Sequence, residues 1–490
     1  MKHVALCGLL LLAACASSAT PTAEQQARIQ EARALLAAAD LDGALAITDK
    51  LIAEQPDWRE ARVLAAEASM QLTRVDRKGL RKDLLLEDVV RNLEAVVKAD
   101  PADAACWTQL AEAEYELMRF LDCVNSAGQA VSSLNEKAKE ARTAADADLM
   151  ARAQLAAAKA RVQLFVEVRN EELASGTPDT NGIVRPSEQA LRLAQEALAA
   201  LQPVCASTPV EGFKLSSQVH QWLGANDLAL ADLERGVRQA PDAADLHVAL
   251  QDFYRSIGRI RELNGLYSSL VRESSAPPVM RWFQGRAQVM AADDLRAKGD
   301  FQGAIEAYRK ALATYGEYQA MVPSHAEACG QWRAICELSI ARTLVDAGDL
   351  EGARTHLFLA DEASPMAVAY DGMTPSLVDS FGSHYATVVF VISRSLSESS
   401  GNSLEKVLAF NEAVLQRHPQ KWGFVYNNAA LPARDLGVQV VREAEQGGKS
   451  EDERKQAQAR AMELWERSYR YYEEAVKLSP EDARIITMPA

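Results

Sequence analysis

Between Ala292 and Leu312, small and apolar residues return every three or four positions, the period of a helix with one buried face. Ala304, Tyr308 and Ala311 stand at i, i+4 and i+7 and share that face. Small side chains at 304 and 311 admit a neighbouring helix, and Tyr308 fills the space between them. Gly299-Asp300 interrupts the pattern where a turn is needed. Ala292, twelve residues before Ala304, supplies a small position on the preceding helix. The stretch predicts the turn and second helix of a helical hairpin.

This spacing resembles the tetratricopeptide repeat (TPR), whose period is ~34 residues. In that frame a small residue on the second helix is followed seven residues later by another, and five further on by Pro. The chain repeats the frame at Ala44, Leu51, Pro56; Val89, Val96, Pro101; and Ala229, Gly236, Pro241. It returns at Ala353, Ala360, Pro365; Val407, Val414, Pro419; and Ser468, Ala475, Pro480. Proline in this phase ends one pair and starts the next, because it lacks an N–H and fits a first turn. After Pro101, Trp107, Leu110 and Ala111 occupy the repeat's Trp-x-x-Leu-Gly positions, with Ala for Gly. After Pro241, Leu250, Tyr254, Leu263, Tyr267 and Leu270 continue in register, and Ala341 stands twelve before Ala353. The resemblance implies an all-α chain, an α-solenoid of about 8–10 antiparallel hairpins over residues 24–485.

Insertions break the period. One, around Leu72–Leu86, carries Arg74, Arg77, Lys78, Arg81 and Lys82, a basic cluster suited to a solvated extension or to an anionic partner. Residues from Glu136 to Leu173 read as one long Ala-rich helix. The turn-rich Ser175-Gly176-Thr177-Pro178-Asp179-Thr180-Asn181-Gly182 follows. The expected division is N-terminal helices over 24–174, a linker over 175–187 and a main stack over 188–490. Further insertions fall at Ala313–Glu327 and around Gly447-Gly448.

The start of the chain has a different pattern. Lys2 precedes an apolar run from Val4 to Ala14, too short to span a bilayer, which needs ~20 residues. Leu12-Ala13-Ala14-Cys15 resembles a bacterial lipobox. That resemblance implies a signal peptide over 1–14, a lipidated Cys15 and a small polar tether over 15–23. Ala16 after Cys15 implies sorting to the outer membrane, with membrane contact through the lipid anchor alone.

A net charge of −15 disfavours nucleic-acid binding, which needs basic surface. Five cysteines remain beyond Cys7 and Cys15: Cys106, Cys123, Cys205, Cys329 and Cys336. Cys329 and Cys336 lie roughly 10.5 Å apart along a helix, too far for a disulfide, and the five read as small buried residues. None of the seven histidines forms a metal-binding pair, no Cys-x-x-Cys occurs, and Gly-x-Ser-x-Gly is missing. Gly447-Gly448-Lys449-Ser450 lacks the earlier Gly of a phosphate loop, since Ala444 stands in its place. No metal, cofactor or catalytic residue is expected.

Assigning the frame repeat by repeat puts Trp222, Asp252, Arg255, Asp293, Arg296, Arg342, Tyr426, Asn427, Asn428 and Arg434 on a concave wall of first helices. Thr108, Glu112 and Tyr115 belong to the same set. Asn427-Asn428 is unfavourable within a helix. The pair is expected to cap or bond across its hairpin, or to read peptide backbone. Peptide-clamp members of the family carry a Lys one turn before such an Asn; here Gly423 stands there. The resemblance implies a non-enzymatic, periplasm-facing scaffold for a protein or peptide partner. An accessory for outer-membrane protein or pilus secretin assembly is a second reading. A cell-wall-active enzyme with a site in the insertions is a third. Cys15→Ala should abolish metabolic labelling by fatty acid, and labelling that persists in this variant would refute the lipobox.

Overall fold

The computed structural model describes residues 20–75, 79–137, 141–178, 184–273, 276–364, 384–398, 403–446 and 448–481. Among them are 20 α-helices and no strand. The chain divides into two compact units, 1–253 and 254–490. Unit 1 contains α1 (Ala23–Ala37), α2 (Leu41–Glu54), α3 (Arg59–Val75), α4 (Leu80–Ala99) and α5 (Ala104–Glu116). It continues with α6 (Phe120–Glu136), α7 (Ala144–Ser175), α8 (Glu188–Ser207), α9 (Pro209–Trp222) and α10 (Asn226–Gln239). The division runs through α11 (Ala244–Ser256). Unit 2 contains α12 (Ile260–Leu270), α13 (Val279–Ala297), α14 (Phe301–Met321), α15 (Ala326–Asp346) and α16 (Leu350–Ala363). Its remaining helices are α17 (His384–Glu398), α18 (Leu404–Arg417), α19 (Gly423–Gln446) and α20 (Glu451–Leu478).

Within each unit helices pack on their sequence neighbours, giving TPR-like antiparallel pairs. First helices also touch first helices: α1 with α3, α5 with α7, α7 with α9, and in unit 2 α15 with α17 and α17 with α19. Each unit is thus an α-solenoid segment with first helices along one wall. The small slots that define the frame lie at the helix crossings. Ala229, Ala304 and Ala353 are fully buried, as are Ala311, Val414 and Ala475.

The hairpin turns share one construction. Ala39, Met118, Gly224, Gly258, Gly299 and Gly348 all take positive φ between a first helix and its partner. In three of these hairpins an aspartate follows. Asp40, Asp300 and Asp349 accept from the backbone N–H of Gly43, Gly303 and Gly352 at 3.0, 3.0 and 2.9 Å, capping the second helix. A Cβ at Gly43 or Gly303 would lie only 2.7 or 2.6 Å from the capping carboxylate. Ala44, Ala304 and Ala353 come next and occupy the small slot. Turn, cap and packing position are therefore read from six consecutive residues, 39–44, 299–304 and 348–353.

Several insertions are helix extensions. Residues 313–327 form the last turns of α14, a short 3-10 turn at Pro323–His325 and the start of α15. The long helix expected from Glu136 begins at Ala144 instead. Thr143 and Asp146 form a reciprocal capping box there, and Lys137 reaches Asp146 at 2.7 Å. The following turn-rich segment joins α7 to α8, which pack on each other through Val162, Phe165, Ala194 and Leu201. Buried Arg169 on α7 donates to Val184 O at 2.5 Å, just before α8, to Trp222 O on α9 at 3.2 Å and to Glu172 at 2.9 Å. Ser450 caps α20 in a capping box with Glu453, which accounts for the Gly-Lys-Ser run by helix initiation.

The described cysteines are free thiols; four are buried and Cys205 is half-buried. Cys123 fills a crossing slot between α6 and α7, and burial pushes its thiol up to about 12. Cys15, residues 1–14, Arg77, Lys78, Pro365 and Gly447 lie outside the described residues. Ala304→Trp should destabilise the chain by ~1–3 kcal/mol through overpacking, measured by chemical denaturation; an unchanged midpoint would refute the assigned crossing.

Candidate functional site

The first-helix wall of unit 1 holds an open cleft of about 690 Å³. Its floor is apolar, from Met70 on α3 and Leu155 and Ala156 on α7. Tyr115 of α5 is half-buried at its side, its ring 5.7 Å from Phe120. The rim carries Arg74, Lys82, Glu112, Glu116, Arg152 and Lys159. Two of its cations are neutralised by neighbours. Arg152 grips Glu112 through two hydrogen bonds of 2.9 and 2.8 Å, linking α7 to α5. Lys82 reaches Glu116 at 2.7 Å. Half-buried Lys159 has no hydrogen-bond or ion-pair partner among the described residues.

Glu112 and Tyr115 therefore lie in the cleft. Thr108 does not: it is fully buried and donates to Ala104 O at 2.8 Å. Arg152, Leu155 and Lys159 were not anticipated as site residues. They recur at i, i+3 and i+7 along α7 and form one stripe. Treating α7 as the first member of a hairpin would have exposed that stripe.

The remaining predicted residues distribute as follows. In unit 1, Trp222 at the end of α9 packs its ring half-buried on the α7–α8 core, and Asp252 is exposed on α11. In unit 2, Arg255 is exposed on α11. Asp293 accepts from the Tyr308 hydroxyl at 2.5 Å across the α13–α14 hairpin, while its surface stays open to solvent. Crowding by surrounding protein pushes its pKa up, against the opposing influence of Tyr308, Arg296 and Arg255. Arg296 bridges to Asp346 on α15 at 2.9 Å. Arg342, four residues before Asp346 on the same face, is half-buried and has no hydrogen-bond or ion-pair partner among the described residues.

Near the C-terminus, a second cleft of about 410 Å³ lies between α17, α18 and α19. Asn428 lines it with Phe390, Arg394, Leu431 and Asp435. Arg434 donates to its neighbour Asp435 at 2.9 Å. Asn427 keeps a buried amide oxygen without a partner, so neither asparagine bonds across the hairpin among the described residues. Tyr426 is placed in the packing and not on an open wall. It is 8% exposed, its ring lies 6.2 Å from Tyr471, and its hydroxyl accepts from Gln420 N–H at 3.2 Å. Gly423, in the clamp-lysine position, meets α20 so closely that a Cβ would stand 3.0 Å from Ala475 O. The described residues contain no cluster of His, Cys, Asp and Glu fit to hold a metal. No described helix is long and apolar enough to cross a membrane.

No family model matches the chain, and no curated protein matches it. Among solved structures it resembles a thermophilic TPR protein of Thermus thermophilus, with 17% identity over 46% of this chain and 98% of that one, at a TM-score of 0.28. It also resembles a TPR protein of Parabacteroides merdae, with 11% identity, 59% and 93% coverage and a TM-score of 0.34. A third is yeast Tom70, with 12% identity, 95% and 99% coverage and a TM-score of 0.21. The TPR-like architecture rests on the chain's own helix pairing and crossing slots.

On the far face of α5 from the cleft, Glu114 is 4% exposed and its Oε2 has no partner. Burial pushes its pKa up to about 7; Ser126 opposes this, Asp122 and Glu94 add to it, and Arg119 opposes it. The folded chain therefore holds a proton that the unfolded chain releases near 4.5. This stabilisation is complete below that pH and is lost as pH rises through about 7. Glu114→Gln should remove up to about 3 kcal/mol of pH-dependent stability across that window. Denaturation series at pH 4.5 and pH 8 read the effect, and an unchanged difference between wild type and variant would refute it.

Proposed function

We propose that this chain is a non-enzymatic scaffold that binds a protein or peptide partner along its first-helix walls. The observation that carries the reading is the unit 1 cleft. An apolar floor of Met70 and Leu155, a half-buried tyrosine and paired charges of both signs suit a polypeptide. Lys159 adds a cation that the fold leaves unmatched, available for a backbone carbonyl or an acidic side chain. Arg342 on the wall of α13 and α15 is a second such cation, and Asn428 offers an amide in the cleft beside α19.

The anchoring part of the proposal rests on Leu12-Ala13-Ala14-Cys15. Cleavage before Cys15 and lipidation would tether the helices to the outer membrane and face them to the periplasm. The partner would then be an envelope protein or a segment of one. A photocrosslinking side chain at Tyr115 should trap one defined partner, identified by mass. Lys159→Glu should lower that yield by about tenfold with an unchanged melting curve. Full capture with Lys159→Glu, together with loss of capture on Arg342→Ala, would move the partner to unit 2 and overturn the assignment to this cleft.

A further inference from the structure

The second helices of unit 2 leave a gap that the first-helix reading does not use. α12 and α14 stand apart over α13, and a pocket of about 330 Å³ opens between them. Its size is at the small end for ligand sites. Ala291 and Leu295 form part of the floor, and Gly303 and Ala307 keep the α14 side low. Gln288 rises from α13 at 9% exposure, and its amide oxygen is buried without a partner. Asn264 on α12 also has a buried, unpartnered amide oxygen. Orphaned buried oxygens are uncommon, and each lacks a compensating hydrogen bond. Two of them line the same pocket.

The rim adds charge. Arg261 on α12 and Lys310 on α14 are exposed, and neither side chain has a hydrogen-bond or ion-pair partner among the described residues. The acidic lining residue, Glu306, already accepts from Gln302 at 2.9 Å. We propose that this pocket binds a small carboxylate bearing a secondary amide: its amide pairs with Gln288 and Asn264, and its carboxylate lies between Arg261 and Lys310. An amide ligand fits either end-for-end orientation of the two side-chain amides, because it has both a donor and an acceptor. The two rim cations disfavour a cationic ligand and favour an anion. The same chemistry is present in a free N-acyl amino acid and in the C-terminus of a protein chain.

The test uses the full chain and three probes in calorimetry: N-acetylalanine, a dodecapeptide ending in a free Ala-Ala carboxylate, and the same peptide as its C-terminal amide. Saturable binding of either free carboxylate, with binding by the amide at least about tenfold weaker, is expected. Binding of N-acetylalanine alone identifies a small-molecule site; binding of both free acids identifies a site that admits a chain terminus. Gln288→Met should abolish binding without lowering the melting temperature, because it removes an unsatisfied amide. Arg261→Gln and Lys310→Gln, both on the surface, should each weaken binding by about tenfold with unchanged melting. Absence of saturable binding by both free acids overturns the proposal, as does equal binding by the C-terminal amide. Binding that survives all three substitutions overturns it too. Lys159→Glu, in the other unit, should leave these titrations unchanged, so failure here and failure of the scaffold reading are separable.

Discussion

Close approach of helices at small residues is the constraint on which the structure depends. Ala44, Ala304 and Ala353 sit at crossings with essentially no exposed surface. A larger side chain there would push the paired axes apart and disturb the next crossing. Aromatic side chains fill what the alanines leave open. Tyr308 and Tyr315 are fully buried, and Tyr315 packs against Gly285, whose missing Cβ would fall 2.7 Å from the ring. The chain carries few aromatics because most of its core is alanine and aliphatic contact at short interhelix distance.

Much of this was legible in the sequence, because the crossing slots recur in a fixed phase with a proline after them. Ala304, Tyr308 and Ala311 proved to be packing residues, as their spacing implies. What was less legible depends on partners far along the chain. Tyr426 shares its helix with Asn427 and Asn428, but Tyr471, 45 residues on, determines that its ring is covered. The helix expected from Glu136 starts later because Thr143 and Asp146 provide a local cap within an Ala-rich background. The cleft residues of α7 escaped notice because a 32-residue helix without strong amphipathic contrast does not advertise which stripe faces its neighbours.

Charge follows a similar division. Many ionic groups are matched across hairpins or between successive first helices, as with Arg152 and Glu112 or Arg296 and Asp346. Exposed pairs of this kind contribute little stability on their own. They do fix which side chains face each other, so the leftover groups become conspicuous. Lys159, Arg342, Arg261 and Lys310 occur next to clefts or walls, where a charge on a partner could complete the match.

The five-residue module of aspartate cap, glycine and alanine slot is nearly identical at positions 40–44, 300–304 and 349–353. A turn that serves three hairpins equally well cannot tell them apart. Identity must then come from the polar latches between the helices, and these differ from pair to pair. Tyr308 meets Asp293 in one hairpin, and His356 meets Glu337 at 2.6 Å in the next. His220 meets Asp232 at 2.8 Å in another. Exchanging single helices between hairpins by recombination would preserve every turn and still break these latches, because each joins the two helices of one hairpin. The chain is built from interchangeable hinges and individual locks, so duplication of whole hairpins can lengthen such a stack more readily than exchange of single helices can shuffle it.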